Sequence, residues 1–318
     1  MKKRWNIVTF LLLILWLHSA CAPYGELRPM EFAELKYPFP VKTVTVDEDL
    51  TIAYVDEGEG AETIIFVHGL GSYLPAWQKN IADLRRDFRC LALDLPGYGK
   101  SSKGPYAIGM KFYAGVLARF MDALDIDRAV IAGHSMGGQI ALTLALIYPE
   151  RVSRLILAAP AGLEQFSEGE KKWFREVVTV ESVKHTPVQQ IRANIVRNFH
   201  NMPPDAEFMV TDRIALRGAK DFEWYCYAVV KSVQGMLDEP VYDRLEEIRQ
   251  PTLIIFGEND NLIPNPYLHG GRSRDIARIG EEKIPLSEVV MIPGSGHFVQ
   301  FEKPEAFNRA VRAFLLKE

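Results

Sequence analysis

Ala129-Val130-Ile131-Ala132-Gly133-His134-Ser135-Met136-Gly137-Gly138 decides how the rest of the chain is read. Ala129–Ala132 is a short apolar run with the character of a strand buried on both faces. It leads directly into Gly133-His134-Ser135-Met136-Gly137, a match to G-x-S-x-G. A helical pattern follows Ser135 and ends near Pro149, a residue that cannot continue a helix. Strand, tight turn and helix are the setting in which a nucleophile elbow presents a serine in a strained backbone conformation. The flanking glycines remove Cβ atoms that would clash in such a turn. The helix N-terminus favours negative charge developing beside it. Ser135 is therefore the candidate nucleophile, with a purely structural glycine turn as the alternative.

Working outward, short apolar runs alternate with longer amphipathic stretches. Val41–Val46 and Leu50–Val55 read as two paired strands. Thr63–Val67, Cys90–Leu95, Leu155–Ala158, Leu253–Phe256 and Val289–Ile292 read as buried strands. Between them, residues 111–124 carry Phe112, Val116, Leu117, Phe120, Met121 and Leu124 at helical spacing, and Pro304–Leu316 closes the chain with another helix. This alternation predicts an α/β fold, a mostly parallel sheet covered by helices on both faces. The core spans residues 41–163 and 248–318. The intervening 164–247 shows only helical patterns: one with Trp173, Phe174, Val177 and Val178, one with Ile191, Ile195 and Phe199, and one over Phe222–Met236. It is read as a helical cap, with Trp224 and Tyr225 as candidate substrate-binding residues in its acyl wall. The alternative is a set of wrapping helices with no part in binding.

A nucleophilic serine needs a base, and the base needs an orienting group. Of the seven histidines, His18 is N-terminal, His68 and His134 flank turns, and His185, His200 and His269 lie in polar segments. His297, in Gly294-Ser295-Gly296-His297-Phe298, follows the last strand and precedes the final helix, so it is the candidate base. The acid comes from Gly257-Glu258-Asn259-Asp260, after the strand Leu253–Phe256; Asp260 is preferred and Glu258 is the alternative. His68-Gly69-Leu70-Gly71 follows the strand Thr63–Val67. With the residue after the nucleophile it predicts an oxyanion hole from the amides of Leu70 and Met136.

From about residue 40 onward the chain resembles the α/β-hydrolase superfamily. His68–Gly71, Leu93–Ser101, Gly133–Gly138, Gly257–Pro264 and Gly294–Phe298 carry the resemblance. It implies an eight-stranded sheet, a cap after the sixth strand, a structural role for Asp94–Ser101, and triad positions at Ser135, Asp260 and His297. Epoxide hydrolases and haloalkane dehalogenases resemble this scaffold but carry aspartate at the elbow. Carbon–carbon bond hydrolases share similar Ser-Met-Gly-Gly sequences, yet typically have asparagine before the nucleophile and tryptophan after the histidine; here those places hold His134 and Phe298. Cofactorless haloperoxidases, which act as perhydrolases, share the triad. The expected function is hydrolysis of carboxylic esters of small or medium acyl chains. C–C hydrolysis, perhydrolysis or a catalytically silent binding protein are the alternatives.

Composition narrows the classes. The formal charge is −4, with 48% hydrophobic residues, an ordinary globular composition with no basic cluster beyond the N-terminus to suggest nucleic acid binding. No metal-ligand cluster or dinucleotide fingerprint is visible, and no cofactor is implied. Residues 1–20 differ from the rest. Lys2-Lys3-Arg4 precedes an apolar run from Ile7 to Leu17, then small residues, in the layout of a secretory signal. Leu17-His18-Ser19-Ala20-Cys21 resembles a bacterial lipoprotein signal, which implies lipidation of Cys21. The expectation is an exported, membrane-anchored chain facing the periplasm or exterior, with 21–40 as a linker. Without residues 1–20 the formal charge falls from −4 to −7, because that segment holds three cations and no acid. Cys90, in an apolar run, reads as a core residue, and a disulfide framework is not indicated.

Overall fold

The structure, a computed structural model, describes Tyr24 and residues 27–317; the expected signal segment and Cys21 lie outside the described residues. The eight expected strands form one sheet in the order β1-β2-β4-β3-β5-β6-β7-β8. β1 (Lys42–Asp47), β2 (Leu50–Glu57) and β4 (Arg89–Leu93) are joined antiparallel. β3 (Thr63–Val67), β5 (Ala129–His134), β6 (Val152–Ala158), β7 (Thr252–Gly257) and β8 (Ser287–Ile292) complete it in parallel.

Side chains of one strand alternate between faces, and the two core layers divide accordingly. Ile64 and Phe66 pack on one side with Trp77, Ile81 and Phe307. That layer is covered by α1 (Gln78–Leu84), α10 (Val299–Glu302) and α11 (Pro304–Leu315). Ile65 and Val67 pack on the other side with Leu117, Ile140 and Ala277, under α2 (Met110–Asp122), α3 (Met136–Ile147) and α9 (Ser273–Lys283). The Asp94–Ser101 loop is structural, as expected. The Asp94 carboxylate accepts the amides of Leu74 and Lys100 at 2.8 and 2.7 Å, and Ser101 Oγ donates to the Asp94 carbonyl at 2.6 Å.

Between β6 and β7 the chain forms α4 (Glu168–Val177), α5 (Val180–Lys184), α6 (Val188–Val196), α7 (Glu207–Ala215) and α8 (Phe222–Asp238). α4 starts on a capping box in which Ser167 Oγ and the Glu170 carboxylate each accept the other residue's amide. In α8 the buried set includes Tyr225, Cys226, Val229, Val233 and Leu237, the spacing of one helix face. Gln139, one turn into α3, donates to the carbonyls of Met236 and Glu239 at 3.0 and 3.1 Å. That pair of bonds ties the cap helix to the core.

The reading of 21–40 as a linker is corrected over its described part. Phe32 and Leu35 are buried. Met30 N–H donates to the Ala215 carbonyl at 3.1 Å, and Tyr37 Oη donates to the Asp94 carboxylate. The reason is apolar area: burying a large side chain contributes about 1.5–3 kcal/mol, so Phe32 and Leu35 hold the segment against cap and core.

Candidate active site

Ser135 sits between β5 and α3 with φ 54° and ψ −118°, a left-handed conformation that costs a non-glycine residue on the order of 1–3 kcal/mol. The surrounding backbone imposes it. Ser135 N–H donates to the Ala158 carbonyl at 3.0 Å, and the Ser135 carbonyl accepts from Gly138 at 2.8 Å and from Ala161 at 2.9 Å. Gly137 lets the new helix approach β3, because a Cβ there would lie 2.3 Å from the Val67 carbonyl oxygen.

His297 and Asp260 arrive from the ends of β8 and β7. The His297 Nδ1 lies 2.8 Å from Asp260 Oδ2, with side-chain exposures of 4% and 0%. A carboxylate only accepts, so Nδ1 carries the proton and Nε2 is left as the base. Asp260 Oδ1 accepts the amides of Leu262 and Ile263 at 2.8 and 3.1 Å, which fixes the carboxylate. Glu258, the alternative acid, is instead paired with Arg274 at 2.8 Å on the exposed side.

The cap braces the histidine loop. Phe298 N–H donates to the Asn198 carbonyl at 3.0 Å. The Glu302 carboxylate accepts from Gly296, His200 and Asn201. A Cβ at Gly296 would lie 2.6 Å from the His200 nitrogen, so the cap chain needs glycine there. His134 supports the same loop from below: its Nε2 donates to the His297 carbonyl at 3.0 Å. Burial holds His134 well below its ordinary range near 6.5, so it is neutral. His68 is likewise buried with a lowered pKa; its Nδ1 donates to Gly69 O at 2.8 Å and its Nε2 accepts from Leu95 N at 3.0 Å. Both bond to the backbone around the turns they flank.

Ser135, His297 and Leu70 line one cavity of about 380 Å³. Met136 is the first residue of α3, where helix amides have no acceptor one turn earlier. Leu70 lies in the turn closed by Ser72 N–H to Gly69 O at 3.2 Å. Of the two expected oxyanion donors, Leu70 thus lines the cavity with Ser135 and Met136 follows the serine at the start of α3. Apolar walls come from Phe166, Phe174, Val233, Met236, Leu237 and Leu262, and polar groups from Gln139, Glu164 and Asn265. A mainly apolar cavity with a few placed polar groups is the usual form of a small-molecule site.

Trp224 and Tyr225, expected in an acyl wall, do not line the cavity that Ser135 and His297 share. Trp224 is 38% exposed and packs edge-on against Tyr227 on the outer side of α8. Tyr225 is buried and lines a second cavity of about 90 Å³ that shares Leu70 as a wall. Phase turns Trp224 outward, whereas Tyr225 shares the buried face with Val233 and Leu237 but lies two to three turns earlier, so Val233, Met236 and Leu237 meet the larger cavity. The His269 side chain is 25% exposed and lies 3.5 Å from Glu164 and 3.7 Å from Glu170. Cys90 and Cys226 are free and buried, and burial pushes their thiols up to about 12 and about 11.

Comparison with known proteins agrees with this fold. The α/β-hydrolase fold family matches residues 62–304. The chain is 32% identical over 285 residues to 2-hydroxy-6-oxononadienedioate/2-hydroxy-6-oxononatrienedioate hydrolase 1 of Pseudomonas putida, covering 85% of this chain and 93% of that one. It is 29% identical over 261 residues to the dihydrolipoyllysine-residue acetyltransferase component of the acetoin cleaving system of Pseudomonas putida. There it covers 82% of this chain but 65% of the relative's length. Among solved structures it is similar to a probable hydrolytic enzyme of Pseudomonas aeruginosa PAO1 (TM-score 0.80, 25% identity, 92% of this chain and 100% of that one). It is also similar to a thermophilic esterase of Thermogutta terrifontis (TM-score 0.68, 27% identity, 86% and 96%). The chain belongs to the α/β-hydrolase family, and it is a hydrolase.

Proposed function

We propose that the protein hydrolyses carboxylic esters of small or medium acyl chains through an acyl-enzyme on Ser135. The observation that carries this reading is a largely apolar cavity of about 380 Å³ lined by both Ser135 and His297. His297 Nε2 takes the Ser135 Oγ proton as Oγ attacks the ester carbonyl carbon. The resulting oxyanion lies against the amides of Leu70 and Met136. Its collapse breaks the C–O bond, and His297 returns the proton to the leaving alkoxide. Water, deprotonated by the same histidine, then adds to the acyl-enzyme and releases the acid. The similarity to the Thermogutta esterase supports this chemistry.

A second reading, C–C hydrolysis of a diketone-like substrate, is favoured by one observation besides the Pseudomonas putida relative. Arg213 lines the smaller cavity, and its Nη1 is buried with no hydrogen-bond partner among the described residues. Such a cation could hold the polar half of a diketone. Against it, that cavity measures about 90 Å³, better matched to a small leaving alcohol than to a carbanion-forming half-substrate. Side-by-side kinetics on an ester and a vinylogous diketone should give at least about 100-fold higher kcat/KM for the ester, because the C–C reaction needs further polar groups to hold its second carbonyl. A higher value on the diketone, abolished by Ser135→Ala, would overturn the ester reading.

We further propose that the mature chain is exported and tethered by lipid on Cys21. The basic head, the apolar run and Ser19-Ala20-Cys21 support this, since several acyl chains anchor a protein stably. Detergent-phase partitioning should be lost in Cys21→Ser; a wild type that stays in the aqueous phase after export would count against it.

A further inference from the structure

The cavity that takes the acyl group is not uniformly apolar. The loop after β6 carries Glu164 into its wall, with the side chain 9% exposed. One carboxylate oxygen, Oε1, accepts the Asn265 amide at 2.7 Å. His269 Nε2 stands 3.5 Å from the same oxygen, beyond a well-formed hydrogen bond, and its Nδ1 faces Glu170 at 3.7 Å. A carboxylate offers about four acceptor sites, so most of the Glu164 capacity is unspent on the protein. The remaining charges do not cancel it. Asp243 lines the same cavity as a second acid, and the one ammonium among the described residues that line it, Lys171, is held by Glu168 at 2.7 Å. Asp260 adds a further negative group close by.

We propose that Glu164 sets the charge selectivity of the acyl cavity. It accepts substrates whose acyl part bears a hydrogen-bond donor such as a hydroxyl or ammonium group, and rejects acyl parts that end in a carboxylate. This inference rests on the ester reading above. An anionic acyl group would have to leave water and settle beside a nearly buried acid, where like charges in juxtaposition are strongly unfavourable. A hydroxyl would instead exchange its water for a charge-assisted bond, the stronger kind. The specificity would thus come as much from repulsion as from attraction.

Nitrophenyl esters of hexanoate, of its terminally hydroxylated analogue and of adipate test it, since the three share a leaving group and a chain length. In the wild type, kcat/KM on the adipate monoester should be at least roughly tenfold below both others. In Glu164→Gln the ratio of adipate to hexanoate should rise by roughly tenfold, and the advantage of the hydroxylated ester over hexanoate should shrink. Wild-type cleavage of adipate as fast as hexanoate overturns the proposal without any variant. A ratio unmoved in folded Glu164→Gln overturns it too. Failure to cleave any of the three esters, with a diketone turned over, overturns the ester reading instead, and this inference with it.

Discussion

Ser135→Ala is expected to lower kcat/KM on a cleavable nitrophenyl ester by about 10⁴–10⁶-fold, the range that loss of the nucleophile carries in a serine triad. The replacement removes one oxygen and little else. Alanine meets the same steric cost at φ 54° that serine already bears, so the turn is not further strained. The elbow's backbone bonds, from Ser135 N–H to Ala158 O and from Gly138 and Ala161 to Ser135 O, involve no side chain. Stability should therefore stay within about 1 kcal/mol, as for a substitution that touches no buried partner. What survives is the oxyanion hole proposed at the Leu70 and Met136 amides, and such donors alone support a small residual rate over water. Reaction with a fluorophosphonate should be lost completely in the variant, and the wild type should show a burst of one alcohol per active site. A folded variant that keeps more than about 1% of the activity would remove Ser135 as nucleophile.

The strands and the elbow were legible in the sequence for a simple reason. A strand buried on both faces is apolar nearly throughout, and Ile64–Val67, Ala129–Ala132 and Leu253–Phe256 are unbroken apolar runs. The chemistry-bearing loops were legible because glycine marks them: Gly137 and Gly296 stand where backbone from another segment passes too close for a Cβ. Some helices were harder to read. α1 is seven residues long, and α9 buries only Ser273, Ile276, Ala277 and Gly280, too few large apolar residues for a visible stripe. The cap residues of the site were harder still. Trp224 is the most conspicuous aromatic in α8, yet conspicuousness says nothing of phase. The core anchor Gln139 and the placement of α8 turn Val233, Met236 and Leu237 to the cavity instead. Glu164 gave no signal at all, because a single acid after a strand is ordinary until the fold shows that it is nearly buried. The strap at residues 27–40 was misread for a related reason: Phe32 and Leu35 are too few to announce a packed segment without the groove that receives them.

Asp260→Asn is expected to cost about 10³–10⁴-fold in kcat while leaving the fold intact, the loss expected when the histidine is held in the wrong tautomer. Asp260 does two jobs. Oδ1 accepts the amides of Leu262 and Ile263, and Oδ2 accepts the hydrogen bond of His297 Nδ1 at 2.8 Å. Asparagine has the same shape, and its single oxygen can keep the two amides. Its nitrogen then faces His297 and can only donate. To accept that bond His297 must move its proton to Nε2, the atom that should receive the proton from Ser135. The base is lost although every atom stays in place. Because the defect lies in proton transfer, it should appear in kcat with little change in KM. The same change at the neighbouring acid provides the contrast. Glu258 points to Arg274 at an exposed pair, and exposed pairs contribute about 0–1 kcal/mol, so Glu258→Gln should stay within about twofold of wild type. Equal losses in the two variants would show that the loop after β7 supports the site only by its fold. A large loss confined to Glu258→Gln would transfer the orienting role to Glu258. Loss confined to Asp260→Asn, with unchanged thermal unfolding, assigns it to the carboxylate that the structure places against His297.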